Sequence, residues 1–138
     1  LSDRIVLVPQ TTKDISHYIT KRAIASFCFV RPIEELFNNS ANKVPESLGL
    51  GTPVILNYRG WQADLLNGYD LDFVIDNRNI SLARDELKVI HQELSLSSHN
   101  SNENLIEDRC RKLAYDAFDL SKNFAPVMKR LEQMNNER

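Results

Sequence analysis

An α/β fold, built on a Rossmann-like parallel sheet with helices on both faces, is predicted by three observations. Four short apolar runs, RIVLV, SFCFV, PVIL and DFVI, are near-continuous rather than alternating in hydropathy, the pattern of strands buried on both faces. One segment of helical character separates each run from the next, giving the order βαβαβαβ. Three further helical segments close the chain. With 138 residues, 42% of them hydrophobic, the length suits one domain with one core.

The first strand is expected at Arg4–Val8, closed by Pro9. Thr11 or Thr12 caps a helix running to Thr20, with Ile15, Tyr18 and Ile19 on one face. Ser26–Val30 is the second strand, and Arg31–Asn39 is irregular. Ser40 or Asn42 caps a short helix that tolerates Pro45 in its first turn, where the missing N–H has no partner to lose. Val44 and Leu48 share a face, and Gly49 and Gly51 end the helix. Pro53–Leu56 is the third strand. Gly60 opens a helix from Trp61 to Asn67, and Gly68 is expected in the left-handed conformation at its end. Asp72–Ile75 is the fourth strand. Ser81 caps a helix to Leu94 carrying Leu87, Ile90 and Leu94 in step. The polar stretch SLSSHNSNEN is a surface connector. Leu105, Ile106, Cys110, Leu113, Ala114 and Ala117 mark one more helix. Phe124, Val127, Met128 and Leu131 mark the last, which Pro126 either starts near Asn123 or kinks.

Composition excludes several function classes. The net charge is −2, and the short basic clusters Lys21-Arg22 and Arg109–Lys112 sit among acidic or apolar residues, so there is no footprint for nucleic acid. No apolar run approaches the ~20 residues that span a membrane. Cys28 and Cys110 are far apart, each in an apolar setting, and read as buried thiols of a reducing, cytoplasmic compartment. His17, His91 and His99 show no ligand or triad spacing. The pair Asp70 and Asp72 spells D-x-D, but it enters a strand at the amino end of the sheet, away from any site, and no metal is assigned to it.

All four glycines fall between Gly49 and Gly68, which raises the question of a ligand cradle. The G-x-G of Gly49 and Gly51 follows a helix and precedes a strand, the reverse of a dinucleotide fingerprint, so these are turn residues. Ligands on parallel sheets bind at the carboxyl ends of the strands. The loops after Val30 and Leu56 leave from those ends, and Gly60 is the glycine placed there.

The stretch NSANKVPESLGLGTPVILNYRGWQADLL resembles the second half of the nucleotide-binding domain of glycosyltransferase family 4, whose members are retaining enzymes of GT-B fold using nucleotide sugars. The family pattern E-A-x-A-x-G-x-P-V falls on Glu46 to Val54. The N-K pair, P-V-I, N-Y and W-Q-A-x-L-L look most like the branch that assembles bacterial cell-surface polysaccharide. Flanking segments resemble the family more weakly, over nearly the whole chain. The resemblance implies that residues 1–138 are a partial C-terminal donor-binding domain. It implies a hexosyltransferase-like activity in a longer parent and an inactive isolated fragment, a view that the start at Leu1 also suggests.

Under this resemblance Glu46 contacts the ribose hydroxyls of the donor, a task suited to a carboxylate that accepts two protons. Ser40, Ala41, Asn42 and Lys43 form the loop and first turn expected to hold the diphosphate, with Ser40 and Asn42 better placed as caps. Asn57, Tyr58, Arg59, Gly60 and Trp61 follow the third strand and are expected to line the donor pocket, with Tyr58 or Trp61 near the base or sugar, although Trp61 better suits a core anchor. Asn38 stands where many family members carry a first Glu, eight residues before the second. It is expected in contact with the sugar diphosphate, with Glu34 and Glu35 solvated. Arg59 replaces a family glycine. The implied partners are a nucleotide sugar, and a glycan or lipid-linked acceptor held by an N-terminal domain. The implied location is cytoplasmic and peripheral to the inner membrane, with no cofactor and no metal. Two alternatives remain open: a non-catalytic nucleotide- or phosphate-binding α/β module, and a plain α/β interaction domain.

Overall fold

The structure, a computed structural model, describes residues 4–31, 33–76, 78–99 and 105–136. In chain order its elements are α1 (Lys13–Thr20), β1 (Ser26–Cys28), a 3-10 turn (Glu34–Leu36), α2 (Lys43–Gly49), β2 (Val54–Leu56), α3 (Trp61–Asn67), α4 (Ile80–His99), α5 (Leu105–Phe118) and α6 (Leu120–Asn136). The chain is α/β, with a small parallel sheet at its centre. β1 pairs with β2 in the register Ser26–Val54, Phe27–Ile55, Cys28–Leu56. The predicted fourth strand is reduced to one parallel bridge, Leu56–Val74. There the Leu56 amide donates to the Phe73 carbonyl and the Ile75 amide to the Leu56 carbonyl, each at 2.9 Å.

Both faces of the sheet carry a helix. Ser47 of α2 donates its hydroxyl to that of Ser26 at 3.0 Å, which puts α2 on the Ser26 and Cys28 face. Side chains alternate along a strand, so Phe27 and Phe29 point to the other face. There Phe29 and Ile75 form an apolar groove with Ile80, Ala83 and Leu87 of α4. The core is built from Val44 and Leu48 of α2, the whole of β2, Ala63 and Leu66 of α3, Leu71, Phe73 and Ile75, and Ile106, Cys110 and Leu113 of α5. Burial pushes the Cys110 thiol up to about 12, so both chemistry and packing mark it as a small hydrophobe.

Several expectations need correction. Arg4–Val8 is not a strand: Ile5, Val6, Leu7 and Val8 are 63%, 83%, 90% and 54% exposed. A lone strand cannot satisfy its own backbone, and among the described residues none pairs with it. The second strand stops at Cys28, because the side chain of Asn57 replaces the ladder at Val30. Its Oδ1 accepts from the Val30 amide at 2.9 Å and its Nδ2 donates to the Val30 carbonyl at 2.8 Å. Gly68 is right-handed, at φ −60°. Among the described residues the left-handed ones are Gly51, at φ 82°, and Asp70, at φ 55°, which makes the turn into the bridge segment.

The helix ends also differ. Asn79, not Ser81, caps α4, its Oδ1 accepting from the Leu82 amide at 3.1 Å. α4 then continues to His99, through half of the expected connector, while residues 100–104 lie outside the described residues. α6 starts at Leu120, and Pro126 lies inside it. Asp119 is the reason: its carboxylate accepts from the amide of Ser121 at 2.8 Å and of Lys122 at 3.3 Å. α1 and α2 lack a side-chain capping bond, although Thr12 and Asn42 hold the cap positions.

Asp116 links three elements. Its carboxylate meets Lys112 at 2.5 Å, Lys122 at 2.8 Å and the Tyr69 hydroxyl at 3.0 Å. Lys112, then Lys122, then Tyr69 hold its carboxyl well below the usual range. A depressed carboxyl stabilises the fold above its unfolded value, near 3.8, and the contribution is lost as pH falls through the folded value. Asp116→Asn is therefore expected to flatten the acid limb of the stability curve below about pH 4. Urea midpoints at pH 7 and pH 3 check this; equal pH sensitivity in variant and wild type would refute it.

Candidate functional site

Two segments meet at the carboxyl end of the sheet. One is the loop after β1, from Phe37 to the first turn of α2. The other is the turn after β2, from Asn57 to Gln62. Gly60 has an extended backbone, φ 175°, which any residue can adopt. Its glycine is required by space instead, since a Cβ there would lie 2.1 Å from the Phe37 carbonyl oxygen. What approaches the Gly60 backbone is thus the chain's own loop, a correction to its expected use as room for a ligand. The Phe37 ring stacks on Tyr58, with centroids 6.1 Å apart and planes 14° from parallel.

Tyr58 was expected to face a donor, but it is 2% exposed. Its hydroxyl donates to Gln62 Oε1 at 2.6 Å. Burial, then the neighbouring Cys28, raises the hydroxyl well above its ordinary value, so it stays a proton donor. Tyr58 forms part of the seat on which the loop rests. Trp61 is 39% exposed and lies against Phe118, centroids 6.4 Å apart.

The loop side chains face outward. Asn38, Ser40, Asn42, Lys43 and Glu46 are exposed, and Ala41 is half-buried. Glu34 and Glu35 are exposed as well, in the 3-10 turn. Glu46 lies 3.8 Å from Lys13 Nζ, with the two side chains 53% and 72% exposed. So exposed a pair contributes little and leaves the carboxylate accessible. The D-x-D carboxylates face arginines, Asp70 with Arg109 at 3.7 Å and Asp72 with Arg59 at 3.4 Å. Arg59 thereby points its charge at Asp72.

A cavity of about 230 Å³ with mixed polar and apolar walls opens beside the same turn, lined in part by Phe37, Asn57, Tyr58 and Arg59. Asp76 and Glu86 also line it. Asp76 is drawn down to about 2 by its side-chain and backbone hydrogen bonds from Arg78, and Glu86 accepts from the Asp76 amide at 2.9 Å.

Gln62 and Phe37 are the site-forming residues that sequence reasoning missed. A signal for Gln62 existed: it falls on the apolar stripe of α3 with Ala63 and Leu66, and a polar residue on such a stripe requires buried partners. Among the described residues no helix is long and apolar enough to cross a membrane, and no group of three or more His, Cys, Asp or Glu is placed to hold a metal. No family model, curated protein or solved structure matches the chain.

Proposed function

We propose that this chain is the donor-binding, C-terminal part of a retaining glycosyltransferase of GT-B type. It would hold a nucleotide sugar whose sugar passes to a cell-surface glycan or lipid-linked acceptor on a separate domain, on the cytoplasmic side of the inner membrane. The observation that supports this best is the meeting of two stretches. Residues 39–54 and 57–66 carry the family resemblance, and they touch at the carboxyl end of a parallel sheet through Ala41 on Gln62, with Phe37, just before the first stretch, against Gly60. In this proposal Glu46 accepts both ribose hydroxyls, Lys43 faces the diphosphate, and Asn38 offers its amide to a sugar hydroxyl.

One observation favours the non-catalytic alternative, a module that binds a nucleotide or phosphate. Asn38 is neutral where many family members carry a carboxylate, and an amide cannot balance charge developing on a reacting sugar. The two readings separate in a parent chain containing an acceptor domain: sugar transfer favours the enzyme, and nucleotide binding without transfer favours the module. For the 138-residue chain alone the expected result is no transfer, with weak binding of a nucleoside diphosphate. Release of free nucleotide from a nucleotide sugar by this chain, followed chromatographically, would contradict the assignment of a donor-binding part only.

A further inference from the structure

We infer that Gln62 is a positioning residue: its buried carboxamide latches the loop 37–42 onto the turn after β2. What that loop serves rests on the donor-binding proposal above; the latch itself does not. Gln62 is 0% exposed. A hydrocarbon side chain of similar length would fill the same place without a desolvated amide to satisfy, so the carboxamide calls for a reason. The geometry supplies one. Gln62 Oε1 accepts from the Tyr58 hydroxyl at 2.6 Å, and Gln62 Nε2 donates to the Ala41 carbonyl at 3.4 Å.

The second bond orients the first. The Ala41 carbonyl can only accept, so the amide nitrogen turns toward it and Oε1 is left to accept from the Tyr58 hydroxyl. At the other end of the loop, the Phe37 carbonyl is seated against Gly60 and its ring against Tyr58. The loop is therefore anchored twice on one turn. Between the anchors Asn38, Asn39 and Ser40 form an exposed arch of two carboxamides and a hydroxyl, all able to donate and accept. With the Ala41 anchor lost, the arch and the start of α2 would be held at one end only. A ligand would then have to order them at its own cost.

Amide hydrogen exchange on the 138-residue chain tests this. The reporters are the amides of Val44, bonded to the Ala41 carbonyl at 3.0 Å, and Asn39, bonded to the Leu36 carbonyl at 3.1 Å. In Gln62→Met both are expected to exchange about fivefold to tenfold faster, while the amides of β1 and β2 keep their wild-type rates. Tyr58→Phe removes the donor to Gln62 Oε1 and is expected to give a smaller rise at the same two sites. It decides the matter alone if Gln62→Met does not fold. Unchanged reporters, or a rise spread evenly over β1, β2 and the loop, would overturn the latch. Titration of both variants with a nucleoside diphosphate separates the two claims. Localised exchange without nucleotide binding in the wild type leaves the latch standing and removes the donor-binding proposal. Nucleotide binding with equal affinity in wild type and Gln62→Met, with unchanged reporters, does the reverse.

Discussion

Gly60→Ala is expected to destabilise the chain by roughly 1–3 kcal/mol, the range for forcing extra volume into a packed place. The cause is steric, since the extended backbone at this position suits alanine. The added methyl would meet the Phe37 carbonyl oxygen at 2.1 Å and its carbon at 3.0 Å, and both are backbone atoms. Either the loop lifts from the turn or the turn moves away from β2, and the Phe37–Tyr58 stack opens in both cases. Gly49→Ala is the control. A Cβ at Gly49 meets nothing within 4 Å, and the residue is the last of α2. Alanine there is expected to be neutral or to stabilise by about 0.5–1 kcal/mol. Urea unfolding shows a loss of stability in Gly60→Ala and none in Gly49→Ala if the contact is real. A neutral Gly60→Ala would mean that the loop does not rest on the turn.

The second large effect concerns binding. Glu46→Ala is expected to weaken a nucleotide sugar by roughly 1.5–3 kcal/mol, the worth of hydrogen bonds to a charged group. That is about tenfold to a hundredfold in Kd. Stability should hardly change, because the carboxylate is exposed, its pair with Lys13 is solvated, and alanine suits a helix. The lysine gives a second check. Lys13→Ala frees Glu46 from its pair and is expected to leave nucleotide affinity unchanged or slightly higher. Equal affinity in wild type and a folded Glu46→Ala would leave Glu46 as a surface residue.

What was legible in the sequence is what local chemistry decides. β2 reads directly from its uninterrupted apolar run, and all three of its residues are buried. The bounds of α3 and the burial of Val44 and Leu48 in α2 follow from spacing and turn residues. The fate of Arg4–Val8 could not be read this way, because a β-branched run becomes a strand only beside another strand. Asn57 posed a related problem. Its side chain stands in for a strand backbone at Val30, 27 residues away, and nothing near Asn57 announces that. Gly60 stands out in the sequence as room for a ligand at the carboxyl end of the strands, but nothing near it says that the Phe37 carbonyl fills that room. Gln62 lay in plain view on an apolar stripe, yet its partner Ala41 is 21 residues distant. The candidate site is closed by such long-range contacts, so neither Phe37 and Gln62 as its members nor the closure they make was legible.

In the proposal above, the loop after β1 and the turn after β2 form one nucleotide-binding unit. Its most direct test is to titrate the isotope-labelled chain with a nucleoside diphosphate and record which backbone amides shift. Saturable shifts are expected at residues 38–46 and 57–62, strongly weakened in Glu46→Ala. No saturable shifts, or shifts confined to the groove between Phe29 and α4, would contradict it.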